Sequence, residues 1–332
     1  MTKSIPFIDV SPLSGGDAEA VALTAELIGN AAREFGFFQV VGHRFPRELV
    51  DRMWGETRRF FDQPRTAKRA ISRTKENPRG YYDRELTKNA RDLKEVFDYA
   101  AVLHPELPED HPDNSATVDG SNRWPPGLPA FPETMLEYYK ECERLGFELL
   151  GALCLDLGLA RDALFEHFAP AHTSFVRLNY YPLTDPLDSD EAADATDLGD
   201  MALHHHTDAG ALTILLQDDV GGLQVLAGGD WIDVTPTPGA FVINVGDMMQ
   251  VWSNDRYEAN LHRVRPTKNR ARYSIPCFFN PSYGTDYAPL TSDPDNPPHY
   301  HAINWGEFRQ ARTDGDYADF GREIQIADFR IA

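Results

Sequence analysis

The spacing of apolar residues changes along the chain, and the first half predicts helices. Apolar positions recur at helical intervals from Asp17 to Arg33 and again from Pro46 to Phe61. In the second segment proline stands in the first helical turn, where its fixed φ and missing N–H are tolerated. A longer stretch, from Phe131 to Leu157, predicts a helix that would back a sheet.

The second half predicts short strands instead. From Phe175 to Phe279, brief alternating runs are separated by turn-forming pairs such as Gly221-Gly222 and Pro238-Gly239. Residues 211–217 and 271–279 are rich in residues that favour strands. Many short strands with regular turns favour a sandwich or a barrel.

Two polar stretches lie between the predicted elements. Residues 103–132 contain many prolines, and we expect an irregular connection held to the core by Trp124 and Phe131. Residues 185–200 are acidic and poor in large apolar side chains, which predicts a mobile surface loop. A lid over a site is the less favoured alternative for that loop.

Two histidines and one aspartate have a spacing suited to a metal ion. His206 and Asp208 are two residues apart, so their side chains point to the same side if the segment is extended. His262 would have to come from a distant strand that crosses nearby. Two histidines and one carboxylate can occupy one face of an octahedral ion and leave the other face open, as catalysis requires. His204 is expected to be an ordinary histidine at a strand end.

An arginine and a serine stand two residues apart in the last predicted strand. Arg272 and Ser274 therefore share a face, and if that face holds the metal, a guanidinium is placed in the interior. A buried guanidinium needs a partner, and its planar fork suits a carboxylate. The pair predicts a pocket for the far carboxylate of a small diacid that also chelates the metal. The protein's own acidic residues are the alternative partner.

A series of short motifs runs in order along nearly the whole chain. The motifs are IPFID from Ile5, EFGFFQV from Glu34, DLKE from Asp92, NYYP from Asn179, HTD from His206, GGLQV from Gly221, NVGD from Asn244, HRV from His262 and RYS from Arg272. Each is weak alone, but together the chain resembles the 2-oxoglutarate- and iron(II)-dependent dioxygenases, in the branch that contains isopenicillin N synthase. The resemblance implies a mainly β fold with flanking α: a double-stranded β-helix, or jelly roll, with an N-terminal helical region packed on the sheet.

The resemblance also implies a division of the chain. Residues 1–130 would form an N-terminal non-haem dioxygenase region of helices and strands that join the core, and residues 131–165 the backing helices. Residues 170–285 would form the jelly-roll core that binds Fe(II) and 2-oxoglutarate. Residues 286–332 would form a C-terminal extension packed on that core.

The same resemblance assigns roles to particular side chains. His206, Asp208 and His262 would hold Fe(II), and Arg272 and Ser274 would hold the distal carboxylate of the co-substrate 2-oxoglutarate. Decarboxylation of 2-oxoglutarate to succinate would then be coupled, with O2, to oxidation of a C–H bond. Hydroxylation is the default outcome, and desaturation or ring closure is an alternative.

Further candidates lie on the predicted strand that starts at Phe175. Asn179 and Tyr181 share a face with Arg177. In similar enzymes the asparagine and the second tyrosine of the NYYP motif lie beside the co-substrate. Arg177 would then face the substrate, which suggests a carboxylate-bearing molecule, although a surface salt bridge is equally compatible with the pattern. Tyr81 and Phe279 are weaker substrate candidates, and core packing explains Tyr81 equally well.

Composition limits the partners and the compartment. The 332 residues include 32 basic and 52 acidic ones, a net charge of −20, which disfavours nucleic acid. Neither a membrane-spanning apolar run nor a secretory signal is evident in the sequence, and three scattered cysteines suit a reducing compartment. We expect a cytoplasmic enzyme, a monomer or small homo-oligomer, that acts on a small molecule and binds neither nucleic acid nor membrane.

Two other functions remain open from the sequence. Isopenicillin N synthase has the same kind of triad and Arg-x-Ser pair but uses no 2-oxoglutarate, so the chain could be an oxidase or cyclase of that kind. A non-catalytic jelly roll that senses a small acid or a metal is the second alternative. A zinc hydrolase is less favoured, because no glutamate base adjoins the histidines. The sequence does not predict the primary substrate.

Overall fold

Two β-sheets face each other, and helices cover the outer side of the larger sheet. The computed structural model describes residues 4–74, 77–87, 89–101, 120–169, 171–291, 293–315 and 324–331. The strands are β1 (Phe7–Asp9), β2 (Phe37–Val41), β3 (Gly80–Tyr82), β4 (Leu86–Thr87), β5 (Ala90–Arg91), β6 (Glu95–Ala100), β7 (Phe175–Tyr181), β8 (Leu203–His206), β9 (Leu212–Gln217), β10 (Leu223–Ala227), β11 (Asp230–Asp233), β12 (Phe241–Val245), β13 (His262–Val264), β14 (Arg272–Phe279), β15 (Asp286–Tyr287) and β16 (Ile303–Asn304).

Three of the helices occur where the apolar spacing predicts them. The helices are α1 (Ala18–Glu34), α2 (Arg47–Phe61), α3 (Arg65–Arg69), α4 (Phe131–Asp156), α5 (Ser189–Ala193), α6 (Asp247–Trp252) and α7 (Trp305–Gly315), with 3-10 turns at Ser11–Ser14, Phe165–Phe168 and Ile326–Phe329. Asp17 caps α1 by accepting a hydrogen bond from the Ala20 amide at 2.9 Å. The three long helices predicted in the first half are therefore confirmed.

The larger sheet has eight strands in the order β1-β2-β12-β9-β14-β7-β6-β3. Its central strands are antiparallel, and β1 pairs with β2 in parallel. Helix α4 packs against β14, β9 and β6, and α1 packs against α4. The resulting core lies between helices and sheet, and it includes Cys277 of β14, which is 1% exposed.

The smaller sheet has four strands in the order β11-β10-β13-β8. A second apolar cluster joins it to the inner face of the larger sheet through residues such as Val225, Val242 and Val264. Two facing antiparallel sheets with helices on one side are the jelly-roll arrangement expected from the sequence, so the predicted fold class is confirmed.

The acidic segment 185–200 lies at the surface, as expected, and ion pairs hold it to the body of the protein. It contains helix α5, whose Glu191 forms ion pairs with Arg65 and Arg69. Asp185, at its start, pairs with Arg91 at 2.5 Å. The low apolar content of the segment gave no indication of these ion pairs.

The proline-rich connection is only partly described, because residues 102–119 lie outside the described ranges. Trp124 and Phe131 beyond it pack against the core, as expected. Among the described residues, none of the helices combines the length and apolar character needed to cross a membrane.

A polar cluster holds the C-terminal end of the chain. Asp255, in the left-handed region at φ 64°, accepts hydrogen bonds from Arg330 at 3.0 Å, Tyr300 at 2.5 Å and Gln250 at 2.9 Å, and lies 2.7 Å from His299. Burial alone would raise the pKa of Asp255, but these hydrogen bonds, that of Arg330 foremost, lower it to about 2. The cluster holds His299, Tyr300 and Arg330 against the turn after α6.

Candidate metal centre and active site

The three predicted metal ligands converge in the cavity between the two sheets. Asp208 Oδ1 lies 3.6 Å from His206 Nε2 and 3.6 Å from His262 Nε2. One ligand atom from each of the three residues lies within 4.8 Å of the others. Ligands about 2.1 Å from an ion and at right angles to each other are about 3 Å apart, so this arrangement fits a shared ion.

Strand pairing in the smaller sheet brings the histidines together. His206 ends β8 and His262 begins β13, and the two are directly opposite in the antiparallel register. The expected crossing of a distant strand is therefore found. Asp208 is not in a strand, since β8 ends at His206, and its carboxylate reaches the site from the loop that follows.

Backbone carbonyls orient both imidazoles. His206 Nδ1 lies 2.8 Å from the carbonyl oxygen of His204, and His262 Nδ1 lies 3.3 Å from that of Asn260. Donation from Nδ1 leaves the lone pair on Nε2, which is the atom that faces Asp208. His204 itself turns away, with its Nδ1 2.6 Å from Asp92 Oδ1, so it is not placed as a ligand.

The carboxylate of Asp208 has one oxygen engaged and the other directed at the histidines. Its Oδ2 accepts hydrogen bonds from Thr213 Oγ1 at 2.5 Å and Asn244 Nδ2 at 2.8 Å. Burial would raise the pKa of Asp208, but His262, His206 and these hydrogen bonds more than offset it and lower the pKa. Burial and the neighbouring His262 lower the pKa of His206 to about 3. An ionised carboxylate beside the neutral imidazole of His206 is suited to ligating a divalent cation.

The loop that carries Asp208 packs closely on the start of α6. The Asp208 carbonyl accepts a hydrogen bond from the Asp247 amide at 2.8 Å. A Cβ at Gly246 would lie 2.2 Å from the carbonyl oxygen of Gly210, and a Cβ at Gly210 would lie 1.8 Å from Asn280 Oδ1. Glycine is required at Gly246 because a Cβ there would meet backbone, whereas a Cβ at Gly210 would require the Asn280 side chain to move.

Arg272 and Ser274 lie at another part of the same cavity. Arg272 is 1% exposed, and its guanidinium donates to Ser274 Oγ at 3.2 Å and to Gln217 Oε1 at 3.2 Å. The guanidinium also lies 5.0 Å from the ring centroid of Tyr181. The Nε of Arg272 has no hydrogen-bond partner among the described residues. None of the carboxylates in the described ranges forms an ion pair with the Arg272 guanidinium. The alternative of a partner from the protein's own acids is therefore not found in the described part of the chain.

Asn179 and Tyr181 line the cavity beside this arginine, as the alternation of β7 predicts. Asn179 Nδ2 donates to Ser274 Oγ at 3.4 Å, whereas the buried Oδ1 has no partner among the described residues. The amide of Gln217 likewise leaves its buried Nε2 without a described partner. Unsatisfied polar atoms around Arg272 are the pattern expected where a polar ligand is to be bound.

Arg177 lines the cavity, but its charge is compensated by the protein. Its Nε and NH2 form a forked pair with Asp98 at 2.7 and 2.8 Å, and its NH1 donates to Glu85 at 2.9 Å. Arg73 bridges the same two carboxylates at 2.9 Å each. The prediction that Arg177 binds a carboxylate of the substrate therefore loses its basis. The alternative from the sequence, a salt bridge within the protein, agrees better with these contacts. The salt bridge of Arg177 is buried, however, and does not lie on the surface.

The ion pairs of Arg177 extend to the strand that carries His206. Lys94 Nζ lies 2.7 Å from Glu85 and 3.0 Å from Asp92, and Asp92 in turn holds His204. Burial would raise the pKa of Glu85, but Arg177, Lys94 and Arg73 hold it well below its usual range. These side chains form a buried ionic network along one wall of the cavity, and its mutual pairing keeps the wall rigid.

Two of the weaker substrate candidates do not line the cavity. Tyr81 is fully buried away from the cavity, with its hydroxyl bonded to Glu95 at 2.6 Å. Phe279 is also fully buried, and it stacks on Phe168 at 4.5 Å behind the sheet. Its neighbour Phe278 points into the cavity instead, because strand residues alternate between faces.

The cavity has a volume of about 660 Å³. Some of the residues that line it were not identified by the sequence analysis. Phe278 stacks on Phe175 at 4.7 Å to give an aromatic wall. Trp305, Arg309 and Arg312 of α7 form a further wall. The alternation of β14 already implies that Phe278 shares a face with Arg272, whereas nothing in the sequence indicated that a helix near the C-terminus reaches the site.

Comparisons with known proteins agree with this arrangement. The family model for the 2OG-Fe(II) oxygenase superfamily matches residues 172–281, and that for the N-terminal region of non-haem dioxygenases in morphine synthesis matches residues 5–127. A 2-oxoglutarate-Fe(II) type oxidoreductase of Emericella nidulans is 36% identical over 90% of this chain and 86% of its own length. A homoarginine-6-hydroxylase of Glycine max is 34% identical over 87% and 88%.

Solved structures show the same likeness. The crystal structure of JOX2 in complex with 2OG, Fe and JA has a TM-score of 0.76 and 30% identity, covering 93% of this chain and 85% of that one. A full-length Neurospora crassa protein in complex with alpha-KG and thymine has a TM-score of 0.78 and 26% identity, covering 94% and 97%.

The chain belongs to the 2OG-Fe(II) oxygenase superfamily. It is a non-haem dioxygenase that uses Fe(II), 2-oxoglutarate and O2 and couples decarboxylation of 2-oxoglutarate to oxidation of a small organic molecule. The bound 2OG of the solved relatives favours this activity over the oxidase that dispenses with it and over the non-catalytic sensor.

Proposed function

We propose that His206, Asp208 and His262 are the protein ligands of the catalytic iron. The observation that carries this assignment is the mutual distance of 3.6 Å from Asp208 Oδ1 to each Nε2. The other polar atoms of the three side chains are already committed to hydrogen bonds within the protein. Three ligands on one face leave the remaining positions of an octahedral ion for co-substrate and oxygen.

We further propose that Arg272 and Ser274 hold the distal carboxylate of 2-oxoglutarate. Arg272 is buried, and its Nε lacks a partner among the described residues, so a carboxylate would complete its hydrogen bonding. Asn179 supports the clamp through Ser274 Oγ, and Tyr181 covers the guanidinium with its ring. These residues would position 2-oxoglutarate with its keto acid end toward the triad.

Iron, when bound, would allow O2 to oxidise both 2-oxoglutarate, which gives succinate and CO2, and a C–H bond of the substrate. The chain's own part is to hold the reactants in a fixed geometry and to exclude water. The hydrogen bonds to Asp208 and to both imidazoles fix the ligand directions, and the ionic network of Glu85 keeps the adjoining wall in place. We propose hydroxylation as the outcome, in keeping with the relative named a homoarginine-6-hydroxylase.

For the substrate we propose a small organic anion with a planar or apolar body. The ring pair Phe175 and Phe278 offers an aromatic surface, and Trp305 adds to it. The guanidinium of Arg309 lies 5.0 Å from the centroid of the Phe175 ring, so a positively charged side chain adjoins this surface. The anionic group is thus proposed to lie beside Arg309 at this aromatic surface.

Succinate formation tests the assignment of ligands and co-substrate. The purified protein with ferrous ion, 2-oxoglutarate and air should form succinate slowly without substrate, and Asp208→Ala should abolish this. The matched control is Asp219→Ala, which removes an exposed carboxylate paired with Arg270 on the surface. Retained succinate formation in Asp208→Ala, or substrate turnover without 2-oxoglutarate, would contradict the proposal.

A substrate panel tests the chemical class. Aromatic and apolar carboxylic acids should stimulate succinate formation, and their methyl esters should stimulate it at least tenfold less. Equal stimulation by acids and esters would show that the anionic group is not recognised.

A further inference from the structure

Helix α7 connects the C-terminal region to the wall of the active site. At its start, Trp305 Nε1 donates to Thr173 Oγ1 at 2.8 Å, which anchors the helix beside β7. One end of the helix therefore has a fixed position. Two turns further on, Arg312 lines the cavity together with Ile324.

Arg312 hydrogen-bonds to the backbone between two of the proposed iron ligands. Its NH2 donates to the carbonyl oxygen of Thr207 at 2.9 Å, and its NH1 donates to the carbonyl oxygen of Ile324 at 3.3 Å. Thr207 joins His206 to Asp208. The guanidinium thus links the C-terminal segment to the peptide that sets the spacing of those two side chains.

The peptide that joins His206 to Asp208 lies beyond the end of β8, so strand pairing does not hold it in place. β8 ends at His206, and the carbonyl of Asp208 is held by the Asp247 amide at 2.8 Å. The Thr207 carbonyl lies between these two fixed points, so the bond from Arg312 further restrains the peptide that joins His206 to Asp208. A hydrogen bond from a charged donor is stronger than one between neutral groups, which suits Arg312 to this task.

We propose that Arg312 is a positioning residue for the metal centre and couples metal binding to the seating of α7. The proposal rests on the assignment of His206 and Asp208 as iron ligands. Outer partners of metal ligands typically contribute about 10–100-fold to metal affinity. Because coupling is reciprocal, a bound ion stabilises the attachment of α7 by the same factor by which that attachment strengthens metal binding.

The test measures Mn(II) binding to the metal-free full chain, without turnover, by the electron paramagnetic resonance signal of free Mn(II). Arg312→Met should weaken binding about 10–100-fold, and Arg312→Lys, which keeps one charged donor, should restore part of the affinity. The matched control is Arg161→Met, which removes the same kind of bond, from NH2 to the Leu13 carbonyl at 2.9 Å, far from the cavity. It should bind Mn(II) as the wild type does.

Amide hydrogen exchange of α7 gives an independent measurement. Mn(II) should slow exchange in residues 305–312 of the wild type and should not do so in Arg312→Met. Wild-type Mn(II) affinity in Arg312→Met, an equal loss in Arg161→Met, or exchange in α7 that is indifferent to Mn(II) would each overturn the proposal. If Asp208→Ala also binds Mn(II) normally, the ligand assignment itself fails, so the two failures are distinguishable.

Discussion

Replacing Arg272 with leucine separates a ligand-binding role from a structural one. In the structure its guanidinium is 1% exposed, with no ion-pair partner among the described residues and with Nε unsatisfied. A buried charge of this kind destabilises the fold unless something pairs with it. We therefore expect Arg272→Leu to leave the free energy of unfolding of the protein without 2-oxoglutarate unchanged, or to raise it.

The loss should appear in co-substrate binding. A forked arginine–carboxylate contact has two charge-assisted hydrogen bonds, each contributing about 1.5–3 kcal/mol. Losing both weakens binding by about 3–6 kcal/mol, and since 1.4 kcal/mol is tenfold, the Kd for 2-oxoglutarate should rise on the order of 10²–10⁴-fold. Arg272→Lys keeps the charge without the fork and should lie between wild type and Arg272→Leu.

Isothermal titration of 2-oxoglutarate into the Mn(II)-loaded protein measures the affinity, and urea unfolding measures the stability. Arg265→Leu is the control, because Arg265 is an exposed arginine that pairs with Asp233 on the surface. If Arg272→Leu lost several kcal/mol of stability while binding 2-oxoglutarate within tenfold of the wild type, the clamp would be refuted and Arg272 would be structural.

Three further outcomes follow from the packing. Arg177→Met should lower the free energy of unfolding by about 3–5 kcal/mol in urea, because it leaves buried carboxylates short of a counter-ion; a change below 1 kcal/mol would contradict this. Asp255→Asn tolerates the left-handed backbone but should be less stable than wild type at pH 7. Since the folded-state pKa of Asp255 is lowered from 3.8 to about 2, that stabilisation is present above about pH 4 and is lost as the pH falls through 2. The difference between the two proteins should therefore narrow over that range, and a constant difference in urea unfolding would argue against the pairing. Gly210→Ala should weaken Mn(II) binding, because its Cβ would lie 1.8 Å from Asn280 Oδ1, and Asn280→Ser in the same chain should recover part of it; no loss in Gly210→Ala would show that the loop has room.

The spacing of apolar residues was sufficient to predict the positions of the three long helices and which side chains share a face of the main strands. Asp17 marks the start of α1, and the alternation of Arg272 and Ser274 placed both in the cavity, because these features depend only on neighbours in sequence. The same alternation places Phe278 rather than Phe279 at the cavity, so the candidate and the structure differ by one residue along a strand that was itself correctly predicted.

Partners distant in sequence could not be predicted in the same way. Arg177 is neutralised by Asp98 and Glu85, which are 79 and 92 residues away, and alternation says which face a side chain takes but not what meets it there. Arg312 reaches Thr207 across 105 residues, and no spacing rule connects the two. Contacts between segments distant in sequence therefore determine the surroundings of Arg177 and Arg312.

The register of β13 against β8 has a consequence for folding. His262 stands opposite His206 in one alignment only, and a slip of one residue would turn His262 outward and bring the side chain of a neighbour to the inner face. A misaligned chain would thus lack the imidazole nitrogen of His262 at the metal site. Ferrous ion would then bind only to molecules in which β13 and β8 of the smaller sheet are paired in the correct register. Iron available during synthesis would then act as a selection against misassembled chains, drawing the population toward the productive pairing by mass action.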